Sequence, residues 1–351
     1  MKFDIARQPL IPAFLTLAAL AAAAMCDADV TAAGTAAAKA VGNGFVAVGS
    51  ATATAVATAA TDGLATALPG ELLARFQSAC PVWSRIIAAL LILVTGIYAG
   101  RMTIRYNLYS VTTCLTVPLY GIIACGVAVG GDYLTAFTAS ALFMLSIKDF
   151  GRSLCNGYSF DTLFRASLYL GLLTLVSAAA LPLLLLLPLA LLLFRRTLRE
   201  AVAALAGLLL PAFAYCYINW AVGGTFFAPL TALSHAFLTG APLTVLAALP
   251  PFKLVLLGGI VLLVLLSLLF FLSDVYAAGT KSRFILIYNI CAFALTILLL
   301  GSPAASPGSI ALAAVPSAVL IPVLFVRINR YIALLLYLLL LAAAFSGTIL
   351  Q

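Results

Sequence analysis

Eleven runs of mostly apolar residues, bounded by charge, glycine or proline, leave this chain few ways to fold. They cover residues 9–25, 85–100, 111–129, 133–147, 162–177, 179–194, 201–222, 253–272, 284–300, 310–326 and 331–350. A bilayer core about 30 Å thick needs roughly 17 to 25 such residues per helix, because an α-helix rises about 1.5 Å per residue. The expected fold is therefore all-α, a polytopic transmembrane helix bundle of about eleven spans. A water-soluble domain carries about 25% charged residues to solvate its surface. Only 8% of this chain is charged and 65% is hydrophobic, so a soluble fold is excluded. A nucleic-acid binder is excluded as well, because the Lys and Arg behind the +8 net charge are dispersed between apolar runs and form no basic face.

The positive charges thread the spans. Lys and Arg of short loops are retained on the cytoplasmic side. With the N-terminus inside, that side receives fourteen of the eighteen, from Lys2 and Arg7 through Arg101, Arg105, Lys148, Arg152, Arg165, Arg195, Arg196 and Arg199 to Lys281, Arg283, Arg327 and Arg330. The outer side keeps Lys39, Arg75, Arg85 and Lys253. The ten acidic residues divide five and five, so the bias is a Lys and Arg effect. An N-in, C-out protein is expected.

Three segments admit more than one reading. Residues 1–25 are a signal anchor or a cleaved secretory signal, since Lys2 and Arg7 precede an apolar run and small residues near position 23. Cleavage would leave ten spans. Asp4 interrupts the basic region and favours the retained anchor, and Met25 before Cys26 excludes a lipoprotein. Residues 26–84 form an outer loop rich in small residues, whose 31–68 portion holds either no crossing or two, because one extra crossing would put every later basic cluster outside. Within the multi-span domain 85–351, the uncharged stretch 223–251 is subject to the same test and reads as a re-entrant or interfacial segment. Irregular backbone at membrane depth is tolerated only where protein or a water-filled cavity receives its polar groups, so this stretch is expected to roof or line a cavity.

Seven cysteines are an odd number, and most of them lie within spans, where they imply no redox role. Cys114, Cys125, Cys216 and Cys291 fall within spans as small packers. Cys26 and Cys80 bracket the first outer loop, as a disulfide in an oxidising compartment or as two unpaired interfacial thiols. No period of 20 to 50 residues repeats and the prolines inside spans show no pairing between halves, which disfavours a transporter of the inverted-repeat kind. The leucine runs 183–187 and 334–341 read as lipid-facing.

No ionisable residue sits mid-span, which argues against a proton relay. Asp161 and Arg165, at i and i+4, read as an ion pair at a helix start. Arg195, Arg196 and Arg199 would attract anionic lipid headgroups at about 1 kcal/mol each, although topogenic anchoring alone accounts for them. The loop GRMTIRYNLYS, with Arg101, Arg105, Tyr106, Asn107 and Tyr109, has the composition to hold a phosphate but lacks the glycine-rich turn of a nucleotide cradle. On the outer face, Asp27 and Asp29 open the first loop, with Asp62 and Glu71 further on. Two carboxylates at i and i+2 are the minimum for holding a divalent cation or acting as a base, and the competing reading is a pair that merely keeps the loop hydrated. Membrane glycosyltransferases of the GT-C type are similar in carrying acidic residues in the first outer loop and using lipid-linked sugars. His235, the sole histidine, is a catalytic candidate or an interfacial side chain. Lipid-linked polysaccharide polymerases and ligases also carry functional residues in an outer loop between late spans, but they rely on arginines, and the basic residue near this loop is Lys253.

Two stretches carry a family resemblance. Residues 84–126 (SRIIAALLILVTGIYAGRMTIRYNLYSVTTCLTVPLYGIIACG) and 148–220, the latter with NGYSFDTLFRASLYLGLL and FRRTLRE, resemble a Bacteroidetes family of polytopic inner-membrane proteins, a domain of unknown function. The resemblance covers about half of the chain. It implies a Gram-negative inner membrane and no particular activity. Three function classes follow: an envelope-assembly component acting on a lipid-linked glycolipid at the outer face, a non-catalytic partner or scaffold of a larger complex, and a transporter or flippase. Outer carboxylates, the apolar roof and the lack of intramembrane charge favour the first. Its expected partners are membrane lipids and the lipid-linked substrate, with a protein partner in the second class.

Overall fold

A backbone surrounded by hydrocarbon must satisfy its own hydrogen bonds, so uncharged apolar runs of this length become helices. The computed structural model describes residues 9–25, 68–128, 131–155, 159–238, 243, 245–246, 249–273 and 279–349, and no strand occurs among them. α1 (Leu10–Met25) is followed by α2 (Pro69–Ala79), α3 (Pro81–Arg105), α4 (Thr116–Ala128), α5 (Tyr133–Cys155) and α6 (Phe160–Val176). Next come a 3-10 helix (Ala178–Leu185) running into α7 (Leu186–Leu193), then α8 (Leu198–Ala221), α9 (Ala228–Leu238), α10 (Pro251–Ser273) and α11 (Thr280–Leu300). A 3-10 turn (Pro307–Ser309) leads into α12 (Ile310–Arg327), and α13 (Arg330–Ile349) closes the series. Five of these helices, α3, α8, α10, α11 and α12 with its leading turn, are long and apolar enough to cross a bilayer, and the chain is a helical membrane protein.

The local chemistry sets several boundaries. Pro69 and Pro81 stand in the first turns of α2 and α3, where a missing N–H costs nothing, and Pro81 prevents α2 from running on into α3. α3 ends with Asn107 in the left-handed region (φ 46°) while Leu108 N donates to Thr103 O. α7 ends the same way through Arg195 (φ 50°) and Arg196 N to Leu191 O, and α8 through Gly223 (φ 96°) and Gly224 N to Asn219 O. The run 179–194 is not one α-helix: Pro182 lies in its first half, which adopts the tighter 3-10 form. Eight residues rising about 2.0 Å each and eight rising about 1.5 Å reach roughly 28 Å, so this short segment still approaches the thickness of a bilayer core. Its leucines are not lipid-facing filler as the sequence suggests: Leu183, Leu186 and Leu187 are buried, while Leu185 points outward.

α12 is the axis of the bundle. Fifteen of its eighteen residues are buried, and α4, α5, α10 and α11 surround it. α6 and α8 form the most extensive helix pair. On α8 the buried stripe is Glu200, Ala204, Gly207 and Pro211, whereas Leu205, Leu209 and Phe213 are exposed. Small residues inside and large apolar ones outside are what lipid as solvent favours, because close backbone approach replaces the hydrophobic drive between helices. A Cβ added at Gly207 would stand 2.5 Å from Phe164 O, and one at Gly171 2.4 Å from Leu208 O. α1 docks by the same device, with Leu17 filling the space left by Gly96 and Gly121.

The helix ends sort by charge. At one end, here the basic end, the Lys148 ammonium lies 4.3 Å from the Tyr98 ring, Arg196 donates to Ser153 O, and Asn107–Ser110 meet Ser282 and Arg327. At the opposite, far end, Ser84 Oγ and Tyr133 OH are 2.6 Å apart, and Gln77 clamps the α4–α5 turn. Both tryptophans, Trp83 and Trp220, are exposed near the far end, where indole rings mark a membrane–water boundary. α9 has 11 residues, too few to cross, and packs on α8 and the 3-10 segment.

Candidate functional site

The far end contains a cavity of about 240 Å³. α2 covers it from one side with Leu68, Gly70, Glu71 and Ala74. The turn before α5 supplies Asp132, α5 itself Thr135 and Ala139, the end of α6 Val176 and Ser177, and the segment before α12 Ser306, Gly308 and Ser309. Two carboxylates and four hydroxyls from four separate parts of the chain thus share one lining.

Backbone approach makes this assembly work. α2 lies so close to the end of α6 that a Cβ on Gly70 would stand 2.1 Å from Val176 O, so only glycine fits. Gln77 fixes the other end of α2, donating to Gly131 O and accepting from Leu134 N at 3.1 Å. Gly308 brings its loop against Ala136, where a Cβ would stand 2.9 Å away. Glu71 and Asp132 are both exposed, and Tyr215 of α8 lies within electrostatic reach of Glu71. Thr135 and Ser309 already donate to Asp132 O and Ser306 O, so the carboxylate acceptors stand beside the hydroxyls of Ser177 and Ser306, a set that suits a hydroxylated or cationic group. Among the described residues no three His, Cys, Asp or Glu side chains converge, so a divalent cation there would draw its remaining oxygens from hydroxyls, backbone or ligand.

Asp27, Asp29 and Asp62 lie outside the described residues, as does Cys26, while Cys80 carries a free, half-buried thiol between α2 and α3. Glu71 lines the cavity, and Asp132 is the member that the sequence reading did not single out. The signal available was its place after Gly130 and Gly131 in an outer turn. His235 sits exposed on α9 and does not line the cavity.

At the basic end the three arginines separate. Arg195 and Arg199 are exposed, but Arg196 turns inward, its side chain 8% exposed against Glu200 at 3%. Arg196 Nη1 lies 3.3 Å from Glu200 Oε1, and Nη2 donates to Ser153 O. Glu200 also accepts from Thr197 N at 3.1 Å and Ser159 N at 3.4 Å, so it closes the capping box of α8 and ties that helix to the segment before α6. Asp161 and Arg165 form the expected surface pair at 2.5 Å. No family model, curated protein or solved structure matches the chain.

Proposed function

We propose that this protein is a multi-span inner-membrane component of envelope assembly, threaded N-in and C-out, that receives the polar head of a lipid-linked substrate in the far-end cavity. The threading rests on the fourteen-to-four division of Lys and Arg, with which the gathering of basic helix ends agrees. The observation that carries the proposal is the joint lining of one cavity by Glu71, Asp132 and hydroxyls at the end away from the basic loops. Sugar hydroxyls donate to carboxylates and exchange hydrogen bonds with serine hydroxyls, and exposed apolar helix faces leave a lipid tail in the bilayer while its head enters. Membership of the Bacteroidetes family belongs to this proposal, as does the inner membrane.

The test is the glycolipid and polysaccharide profile of a deletion strain, complemented with wild type or with a Glu71→Gln, Asp132→Asn double variant at matched membrane abundance. A lipid-linked precursor is expected to accumulate on deletion and to persist with the double variant. An unchanged profile on deletion, or full rescue by the double variant, overturns the proposal.

A further inference from the structure

The basic end carries a second cavity with a different character. A mouth of about 200 Å³ is formed where Asn107 and Ser110, just past α3, meet Ser282 at the start of α11 and Arg327 at the end of α12. Its inner wall is apolar and includes Phe271, Leu286 and Val323. Those same three residues begin a groove of about 330 Å³ that continues between α10, α11 and α12, past Leu268 and Phe293 to Val261 and Ile297. The groove is almost wholly apolar, and its one hydroxyl, on Ser267, is already donated to Leu320 O at 2.5 Å.

Length and charge together select an occupant. From Phe271 back to Val261 is ten residues of α10, and from Leu286 to Ile297 is eleven of α11, so the groove runs about 15 Å. That is about half of a 30 Å hydrocarbon core, the depth of one leaflet. The polar mouth lies at the basic end, with Lys281 and Arg283 flanking Ser282 on α11 and Arg330 following Arg327. A neutral head would not use this charge, and a zwitterionic one, though it also carries a phosphate, would bring its own cation against Lys281, Arg283 and Arg330. A single anionic head joined to a leaflet-length acyl tail matches both parts.

We propose that the mouth and the groove form one binding site for an anionic phospholipid, its phosphate held by Arg327 with the exposed Asn107 and Ser110 beside the head, and an acyl chain lying between α10, α11 and α12. The site is separate from the far-end cavity and does not depend on the activity proposed for it. It differs also from the Arg195 and Arg199 surface, which offers charge without a groove.

Native mass spectrometry of the full chain, released from detergent with phosphatidylglycerol or phosphatidylcholine added, tests the site. One phosphatidylglycerol is expected to stay bound under conditions that strip phosphatidylcholine. Arg327→Gln should weaken phosphatidylglycerol binding about fivefold, the loss of one interfacial cation's attraction. Ala294→Trp, which fills the groove from an exposed position, should abolish retention while leaving soluble glycerol phosphate without effect. Arg165→Gln, on α6 away from these helices, should change nothing. The proposal is overturned if the two lipids bind equally, if glycerol phosphate displaces phosphatidylglycerol at matched concentration, or if folded Arg327→Gln retains phosphatidylglycerol like wild type.

Discussion

Removing the Glu200 carboxylate should be among the most damaging single changes at the basic end. Glu200→Ala takes away the acceptor for Thr197 N, Ser159 N and Arg196 Nη1 at once. Loss of the N3 half of the capping box costs at most about 1 kcal/mol, because the N-cap Thr197 keeps its own bond to residue 200 N. Stranding a buried cation costs about 3 to 5 kcal/mol, and Arg196, with its side chain 8% exposed, cannot rotate freely to solvent. Because one carboxylate performs both tasks, the terms overlap and the expected loss is about 3 to 5 kcal/mol rather than their sum. Glu200→Gln keeps the volume and one acceptor oxygen, so about 1 to 2 kcal/mol is expected. Arg196→Met combined with Glu200→Leu removes both charges and should recover all but roughly the cap's 1 kcal/mol. Equilibrium unfolding in mixed dodecylsulfate micelles, followed by helical ellipticity, gives these values for the three variants and for the single changes Arg196→Met and Glu200→Leu that complete the cycle. The reasoning fails if Glu200→Ala lies within about 0.5 kcal/mol of wild type. It fails equally if the double variant is as unstable as the sum of its single changes, since the pair would then be uncoupled.

Two further expectations use the same assay. Gly207→Ala presses a methyl 2.5 Å from Phe164 O, a backbone atom that cannot swing aside, so α6 and α8 must separate at a cost of about 1 to 3 kcal/mol, whereas Leu209→Ala on the exposed face should stay within about 0.5 kcal/mol. Arg195→Gly should raise stability by about 0.5 to 1 kcal/mol, because relief of left-handed strain (φ 50°) exceeds the entropy that glycine adds to the unfolded chain, and a destabilised variant would refute this account of the α7 end.

Each of the eleven apolar runs contains described helix, and this much was legible because length and uncharged composition leave hydrocarbon-bound backbone no other choice. What the pattern could not show was the form of each helix. Pro182 diverts half of one segment into 3-10 geometry, and its leucines go inward because neighbouring helices, not hydropathy, decide which face meets lipid. Charge counting gives Arg195, Arg196 and Arg199 one role, yet the left-handed turn at Arg195 aims Arg196 into the protein. The sequence Thr197-Leu-Arg-Glu200 is a capping-box signature that would have placed Glu200, though not its bonds to Ser159 and Arg196. The far-end cavity was less legible still. No periodicity links Glu71 to Asp132, and their meeting depends on where Gly70 lets α2 settle.

The two ends are held by unlike forces, and the difference bears on which end can bind a changing ligand. Glu200 and Arg196 lock α8 to neighbouring segments with buried, charge-assisted bonds, and the α6–α8 seam beside them closes backbone to backbone. α2 buries none of its side chains fully, and its hold on the bundle consists of the Gly70 approach, the Gln77 bonds and partial contacts with α3, α5 and α6. An element with few buried contacts opens at lower free energy than the bundle beneath it. Glu71 therefore sits on the part of the chain that can yield while the helices around α12 stay packed, which is the placement a cavity requires if a bulky polar head is to enter and leave without unfolding the span that supports it.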